Sequence, residues 1–261
     1  MLANDPQLDT PATPAVETTL DSSAISPNDP YLKQAEAEQR HLVGRVYLLM
    51  MAGLLLSACV ARWIALQADG DDFIARNMAM FEVLFLFEVI SVAILSRVIA
   101  RVDTLTAGIV FFVYAAFNGV SFSMFLRSVP ANAIAYGFVM AAATFGTMLL
   151  YGHYSNADLS RTRSMVMMLV VGLGLMSAAN LAMQASVAYW ATSYLGVIIF
   201  ADLTWYHAQD IRDMYMEFDD DPSGWKSAII GALLIYLDFI NLYFYVMRFL
   251  GQARGGAMRG K

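Results

Sequence analysis

The sequence predicts an all-α polytopic membrane protein, a seven-transmembrane-helix bundle. Of its 261 residues, 59% are hydrophobic and 15% charged, and the mean hydropathy is +0.55, too apolar for a soluble domain of this length. From Leu42 onward, apolar runs of about 20 residues alternate with short polar stretches. A run of that length crosses the hydrocarbon core as a helix, because a helix pairs every backbone amide within the segment.

Composition divides the chain into three parts. Residues 1–41 hold five of the seven prolines among Ser, Thr, Asp and Asn, without apolar periodicity, which predicts a disordered acidic tail. The tail lacks the basic start and apolar core of a secretory signal. Residues 42–251 contain the apolar runs, and residues 252–261 are predicted to be a basic C-terminal tail.

Seven apolar runs are long enough to span the bilayer. They cover residues 43–66, 79–100, 105–127, 131–152, 165–184, 186–206 and 227–250. Their short connections make successive helices antiparallel neighbours in one bundle. A cytoplasmic N-terminus places eight Lys and Arg residues near the cytoplasmic span ends and three near the other ends, which favours that orientation. Four basic residues at and after the last run would then lie outside, so either that run does not fully cross or the first spans dominate.

Charge and cysteine content exclude several classes of site. The net charge of −6 gives no global electrostatic attraction to nucleic acid. Cys59 is the single cysteine, and three histidines are too few for an imidazole-rich metal centre. The acidic loop 217–224 matches the start of a calcium-binding loop, but Ile230 stands where that loop needs a bidentate Glu. We therefore expect a solvated turn there and no metal site.

Polar side chains inside the apolar runs are the functional candidates, because a charge at the centre of a span costs at least ~2.5 kcal/mol. Asp238 is the strongest, since it lies near the middle of the last run, and a carboxylate buried there is sensitive to protonation. Asn241 and Tyr245 follow it at i+3 and i+7 and share its helical face. The remaining candidates are Glu82 and Glu88 in the second run, of which Glu82 is expected near the membrane interface, and Asp202 and His207 around the end of the sixth.

No enzymatic chemistry fits these residues. A retinal Schiff base needs a lysine deep in a span, whereas Lys226 only precedes the last run. The strings Tyr-Asp and Gly-x-Gly-Asp of intramembrane aspartyl proteases are absent, and a serine nucleophile would find only His153 or His207, both near span ends. We expect no enzyme and no cofactor.

Five segments carry a family resemblance. Residues 235–242, Ile-Tyr-Leu-Asp-Phe-Ile-Asn-Leu, with Arg-Phe-Leu-Gly at 248–251, resemble the terminal signature of the Bax inhibitor-1 family, the YccA-like transmembrane Bax inhibitor motif proteins. Residues 200–211, Asp-Leu-Ser at 158–160 and Phe-Asn-Gly at 117–119 also fit that family. The resemblance covers about residues 42–251.

The resemblance implies a fold, a location and a function. The fold is a bundle in which six helices surround a central C-terminal helix, and the location is a bacterial inner membrane. The function is a pH-dependent leak of calcium or other cations, in which two aspartates act as proton sensor and gate. They correspond to Asp238 and to position 207, where this chain has His207. A basic residue near the end of the second run, Arg97 or Arg101, corresponds to the family's latch on that carboxylate.

Histidine in place of aspartate changes the expected gate. Two carboxylates in contact share one proton, whereas His207 and Asp238 can form an ion pair that both members favour. Acid then protonates Asp238 and breaks the pair only at lower pH. Asp202 is the alternative second carboxylate, but it lies five residues before position 207 and points about 140° away on an ideal helix.

A second hypothesis is a binding protein that modulates a membrane-bound quality-control protease. In that hypothesis the N-terminal tail contacts the protease and Asp238 is a packing residue. Membrane lipid is a partner under both hypotheses. Small residues in the spans are expected to permit close helix contact rather than to bind a ligand. They are Gly172, Gly174, Gly196 and Gly231.

Overall fold

The computed structural model describes residues 30–66, 98–99, 101–128, 131–156, 159–183, 186–213 and 224–259. Every regular element in these ranges is an α-helix, so the predicted all-α class is confirmed there. The helices are α1 (Pro30–Ala65), α2 (Thr104–Ser128), α3 (Ala131–Tyr154), α4 (Leu159–Met183), α5 (Ser186–Asp213) and α6 (Trp225–Arg259). The second predicted run, with Glu88 and Arg97, lies outside the described residues except for 98–99, so the count of seven spans is not confirmed.

Four of the described helices are long and apolar enough to cross a membrane. Their spans are Ala37–Ala65, Thr104–Ser123, Asn132–Tyr154 and Trp225–Leu250. The apolar part of α4, Ser164–Ala179, is shorter. Polar side chains along the second half of α5, from Asp202 to Asp213, reduce its apolar character.

The three helices α1, α5 and α6 extend furthest beyond the predicted runs. α1 begins at Pro30, so residues 30–41, predicted to belong to the disordered tail, are helical. Proline is tolerated in a first helical turn, and Ala, Glu, Gln and Lys, which favour helix, follow it. α5 continues past residue 206 to Asp213, and α6 continues through most of the predicted C-terminal tail to Arg259.

The chain divides into two compact units, Met1–Ala37 and Glu38–Lys261. Of the first, the structure describes only residues 30–37, which form the first turns of α1. All contacts discussed below lie within the second unit.

α6 is the central helix of the second unit. In the most apolar 18-residue window of its span, 89% of the residues are buried, against 22–33% in the corresponding windows of the other three candidate spans. Its side chains contact α1 and α2, which run parallel to it, and α3 and α5, which run antiparallel to it. The C-terminal helix predicted to lie at the centre of the bundle therefore does so among the described helices.

The α1–α2–α6 junction combines aromatic packing with a buried hydrogen-bond cluster. The rings of Phe111 on α2 and Tyr236 on α6 meet edge to face, with centroids 5.6 Å apart. The Ser57 hydroxyl on α1 lies 2.7 Å from the Tyr236 hydroxyl and 2.7 Å from the carbonyl oxygen of Ala115. Tyr236 and Ser57 thereby satisfy each other away from water, as buried polar groups must.

Two of the four glycines expected at helix contacts occupy them. A Cβ on Gly231 would lie 3.0 Å from Val46 of α1 and 3.2 Å from Ile211 of α5, and one on Gly196 would overlap the ring of Tyr245. The expectation is not confirmed for Gly172 and Gly174, which have no described atom within 4 Å of the Cβ position. Both lie on α4, where the neighbouring Val171 and Leu175 are exposed.

Asp103 caps the N-terminus of α2. Its Oδ2 accepts the backbone N–H of Thr106 at 3.0 Å, and its Oδ1 accepts the Thr106 hydroxyl at 2.6 Å. Because the carboxylate form accepts both bonds, the side-chain bond first, they hold the pKa of Asp103 below its ordinary value.

We expect Asp103→Ala to lower the melting temperature at neutral pH. A lowered pKa in the fold means that the contribution is complete above the ordinary aspartate value of 3.8 and is lost as the pH falls through the lowered value. The difference from wild type should therefore shrink in thermal melts carried below that pH. Arg101→Ala, a change at an exposed neighbouring position, is the control, and a difference that stays constant with pH would contradict the capping role.

Candidate functional site

His207 on α5 and Asp238 on α6 form a buried pair. The Nδ1 atom of His207 lies 2.7 Å from Oδ2 of Asp238, and their side chains are only 12% and 3% exposed. Asp238 lies midway along the span of α6, and His207 lies two turns before the end of α5. The structure thus joins the two residues that the sequence indicates as the sensor.

Helical periodicity explains why Asp238 faces α5. Tyr245, two turns after Asp238, stacks on Phe200 of α5 with ring centroids 5.7 Å apart and lies against Gly196. Asn241 lies between Asp238 and Tyr245 in the sequence and is also buried. Its side-chain amide donates to the carbonyl oxygen of Leu237 at 2.8 Å. In the predicted stripe of Asp238, Asn241 and Tyr245, the first and last residues therefore both contact α5.

The pair has two arrangements with one proton between its members. Either protonated His207 donates Nδ1–H to the Asp238 carboxylate, or the neutral acid donates to Nδ1. Burial strengthens both arrangements and makes loss of either partner costly. Asp210, one turn beyond His207, adds a negative charge that acts on the imidazole. A second proton on the pair would leave Asp238 neutral and remove the ionic attraction.

Asp202 does not join the pair. It is half-buried on α5 and, within the described part of the chain, makes no hydrogen bond or ion pair with His207 or Asp238. Its five-residue offset turns it to another side of the helix, as the sequence indicates.

The predicted latch is not formed by the residues that the structure describes. Arg101 is exposed just before α2, and no ion pair links it to Asp238 or His207 in the described ranges. The other latch candidate, Arg97, and the predicted lining residue Glu88 lie outside those ranges.

Sequence reasoning missed the contacts that hold the C-terminal end of α5. Arg212 donates from Nη1 to the carbonyl oxygen of His153 at 3.0 Å, and the Gln39 side-chain amide donates to the carbonyl oxygen of Arg212 at 2.8 Å. Each carbonyl group lies in the last turn of its own helix, where no backbone N–H of that helix is available to donate to it. The available signal was an arginine in the last turn of α5, which favours carbonyl contacts without identifying the partner helix.

Comparison with known proteins gives one family and several relatives. The family model described as inhibitor of apoptosis-promoting Bax1 matches residues 39–255. The chain is similar to the inner membrane protein YbhL of Escherichia coli strain K12, at 33% identity over 230 residues, covering 87% of this chain and 98% of YbhL. It is also similar to YrjE of Lactococcus lactis, at 33% identity over 215 residues, covering 81% of this chain and 90% of YrjE. Both similarities are much longer than the segments quoted above.

Proposed function

This chain is a membrane protein of the Bax inhibitor-1 family, and from that premise we propose that it is a pH-sensitive leak channel for calcium or other cations, gated at the His207–Asp238 pair. The relative YbhL is an inner membrane protein, which supports placing this chain in a bacterial inner membrane. The distribution of Lys and Arg supports a cytoplasmic N-terminus.

The observation that carries the proposal is the 2.7 Å contact between His207 and Asp238 across the α5–α6 boundary. A charged side chain in a span is costly, so its retention is a sign of function. The contact joins two helices that would have to separate or rotate for an ion to pass beside α6. It therefore stabilises the closed arrangement.

Acid opens the gate in this proposal. Between neutral and mildly acidic pH the pair holds one proton and the helices stay joined. A further proton leaves His207 charged and Asp238 neutral, which removes the attraction between opposite charges that strengthens their bond. Asn241 and Tyr245 continue the polar stripe along α6 and are the proposed lining residues of the path.

Reconstitution into liposomes that contain a calcium-sensitive dye tests the proposal. Wild-type flux should rise as the pH falls, and Asp238→Asn, which cannot exchange a proton at this position, should lose that acid response. Asp202→Asn is the matched control, because it removes a half-buried carboxylate on α5 that does not touch the pair. A pH profile of Asp238→Asn that matches wild type would refute the gate, and an altered profile in Asp202→Asn alone would move the sensor to that residue.

A further inference from the structure

The C-terminal end of α3 packs closely against one side of the C-terminal end of α5. A Cβ on Gly152 would lie 2.5 Å from the carbonyl oxygen of Trp205 and 2.7 Å from Cβ of Ala208, so the two helices approach closely only because position 152 lacks a side chain. One turn further, Arg212 donates to the His153 carbonyl. Positions 205, 208 and 212 are spaced i, i+3 and i+7, which places them on one side of α5.

His207 lies on a different side of α5 from the residues that contact α3. His207 follows Trp205 by two residues, which is about 200° around the helix. Its side chain therefore points toward α6, whereas α3 packs against the opposite side of α5. The amide of Gln39 holds the carbonyl of Arg212 from α1 as well. The last turns of α5 are therefore held by α3 and α1 in addition to their contact with α6.

We propose that the C-terminal turn of α3, through Gly152 and the carbonyl of His153, positions His207 against Asp238. Gly152 touches neither member of the pair and acts only through α5. The inference deepens the proposed leak, on which its flux measurement rests, and its spectroscopic measurement is independent of any flux.

The charged groups around His207 are few among the described side chains. Asp238 faces it from α6, and Asp210 acts on it from α5 itself. α3 brings His153, whose exposed side chain packs edge to face on Tyr154. The described side chains of α4, residues 164–179, include no charged group. A change at Gly152 thus alters geometry without altering any of these charges.

The test compares two identical substitutions, Gly152→Ala and Gly172→Ala. The new methyl of Gly152→Ala meets Trp205 and Ala208, whereas that of Gly172→Ala meets no described atom within 4 Å. A weaker His207–Asp238 contact needs less acid to break, so half-maximal flux in Gly152→Ala should move to higher pH by about half to one unit, a three- to tenfold change in proton concentration. Gly172→Ala should match wild type.

Proton and nitrogen NMR of histidine-labelled protein gives the second measurement. A short Nδ1–H bond to a carboxylate produces a strongly downfield proton resonance, and with three histidines in the chain the one from His207 is assigned by its loss in His207→Asp. The resonance should move upfield or broaden away in Gly152→Ala and persist in Gly172→Ala. If the resonance changes in Gly152→Ala as expected but neither wild type nor any variant conducts at any pH, the positioning role stands and the leak function fails.

Arg212→Lys covers the case in which Gly152→Ala does not fold. It keeps the positive charge but loses the guanidinium geometry that reaches the His153 carbonyl, so it should shift both measurements in the same direction. Arg45→Lys is its control, because Arg45 lies over the ring of Trp225 at 4.7 Å in a contact between α1 and α6. The inference would be overturned if the resonance and the pH of half-maximal flux were both unchanged in Gly152→Ala. If only Arg212→Lys folds, the same result in that variant would overturn it.

Discussion

Replacing His207 with leucine should destabilise the folded chain at neutral pH by about 3–5 kcal/mol, the cost of leaving one member of a buried ion pair without its partner. Asp238 is 3% exposed, and its hydrogen bond to His207 is the interaction that satisfies Oδ2. Without it the carboxylate must take up a proton or remain charged in an apolar surrounding, and both cost free energy. Denaturant-induced unfolding in mixed micelles, followed by circular dichroism, measures the change.

The double variant His207→Leu/Asp238→Leu separates loss of a partner from loss of a contact. Replacing both members with apolar side chains removes the orphaned charge, so most of the lost stability should return. The defect of the single variant should also shrink as the pH is lowered, because protonation neutralises Asp238. Equal stability of His207→Leu and wild type at neutral pH would mean that the pair contributes nothing to the fold.

The second large effect is expected at Gly196, where α5 crosses Tyr245. A methyl at this position would overlap the tyrosine ring, which is fully buried and stacked on Phe200. Gly196→Ala should therefore cost about 1–3 kcal/mol, the usual cost of overpacking a core. This loss must exceed the gain of up to about 1 kcal/mol that alanine brings to a helix interior.

Gly174→Ala supplies the comparison for that measurement. It makes the same change in a helix where no described atom lies within 4 Å of the new methyl, so it should be neutral or slightly stabilising. Thermal unfolding of both variants in the same detergent gives the difference directly. Similar melting temperatures for the two would show that the Tyr245 ring moves aside without cost.

The sequence was informative wherever a single helix determines the answer. Asp238 stands out because a carboxylate in an apolar run is costly, and helical geometry alone turns Asp202 away from His207. The family resemblance then indicated which residue Asp238 would meet. The pairing was therefore an implication of that resemblance and did not follow from helical periodicity.

The sequence was uninformative wherever the answer depends on a neighbouring helix. Gly172 and Gly196 have equally apolar sequence surroundings, yet only Gly196 lies under an aromatic ring. The bond from Arg212 to His153 joins residues 59 positions apart, and that from Gln39 to Arg212 joins residues 173 apart. Periodicity identifies which side of a helix is buried but not which helix covers it. The start of α1 at Pro30 was missed for another reason, since proline content suggested disorder where one proline begins a helix.

The burial of α6 has a consequence for how the protein is made. Translation proceeds from the N-terminus, so the helix on which α1, α2, α3 and α5 converge leaves the ribosome after all four of them. Until then the inward sides of the earlier helices lack their common partner, and Asp238 has not yet reached His207. Assembly of the bundle is therefore completed only once α6 has been synthesised, and a nascent chain that stops before Trp225 carries His207 with no carboxylate from α6 to receive it.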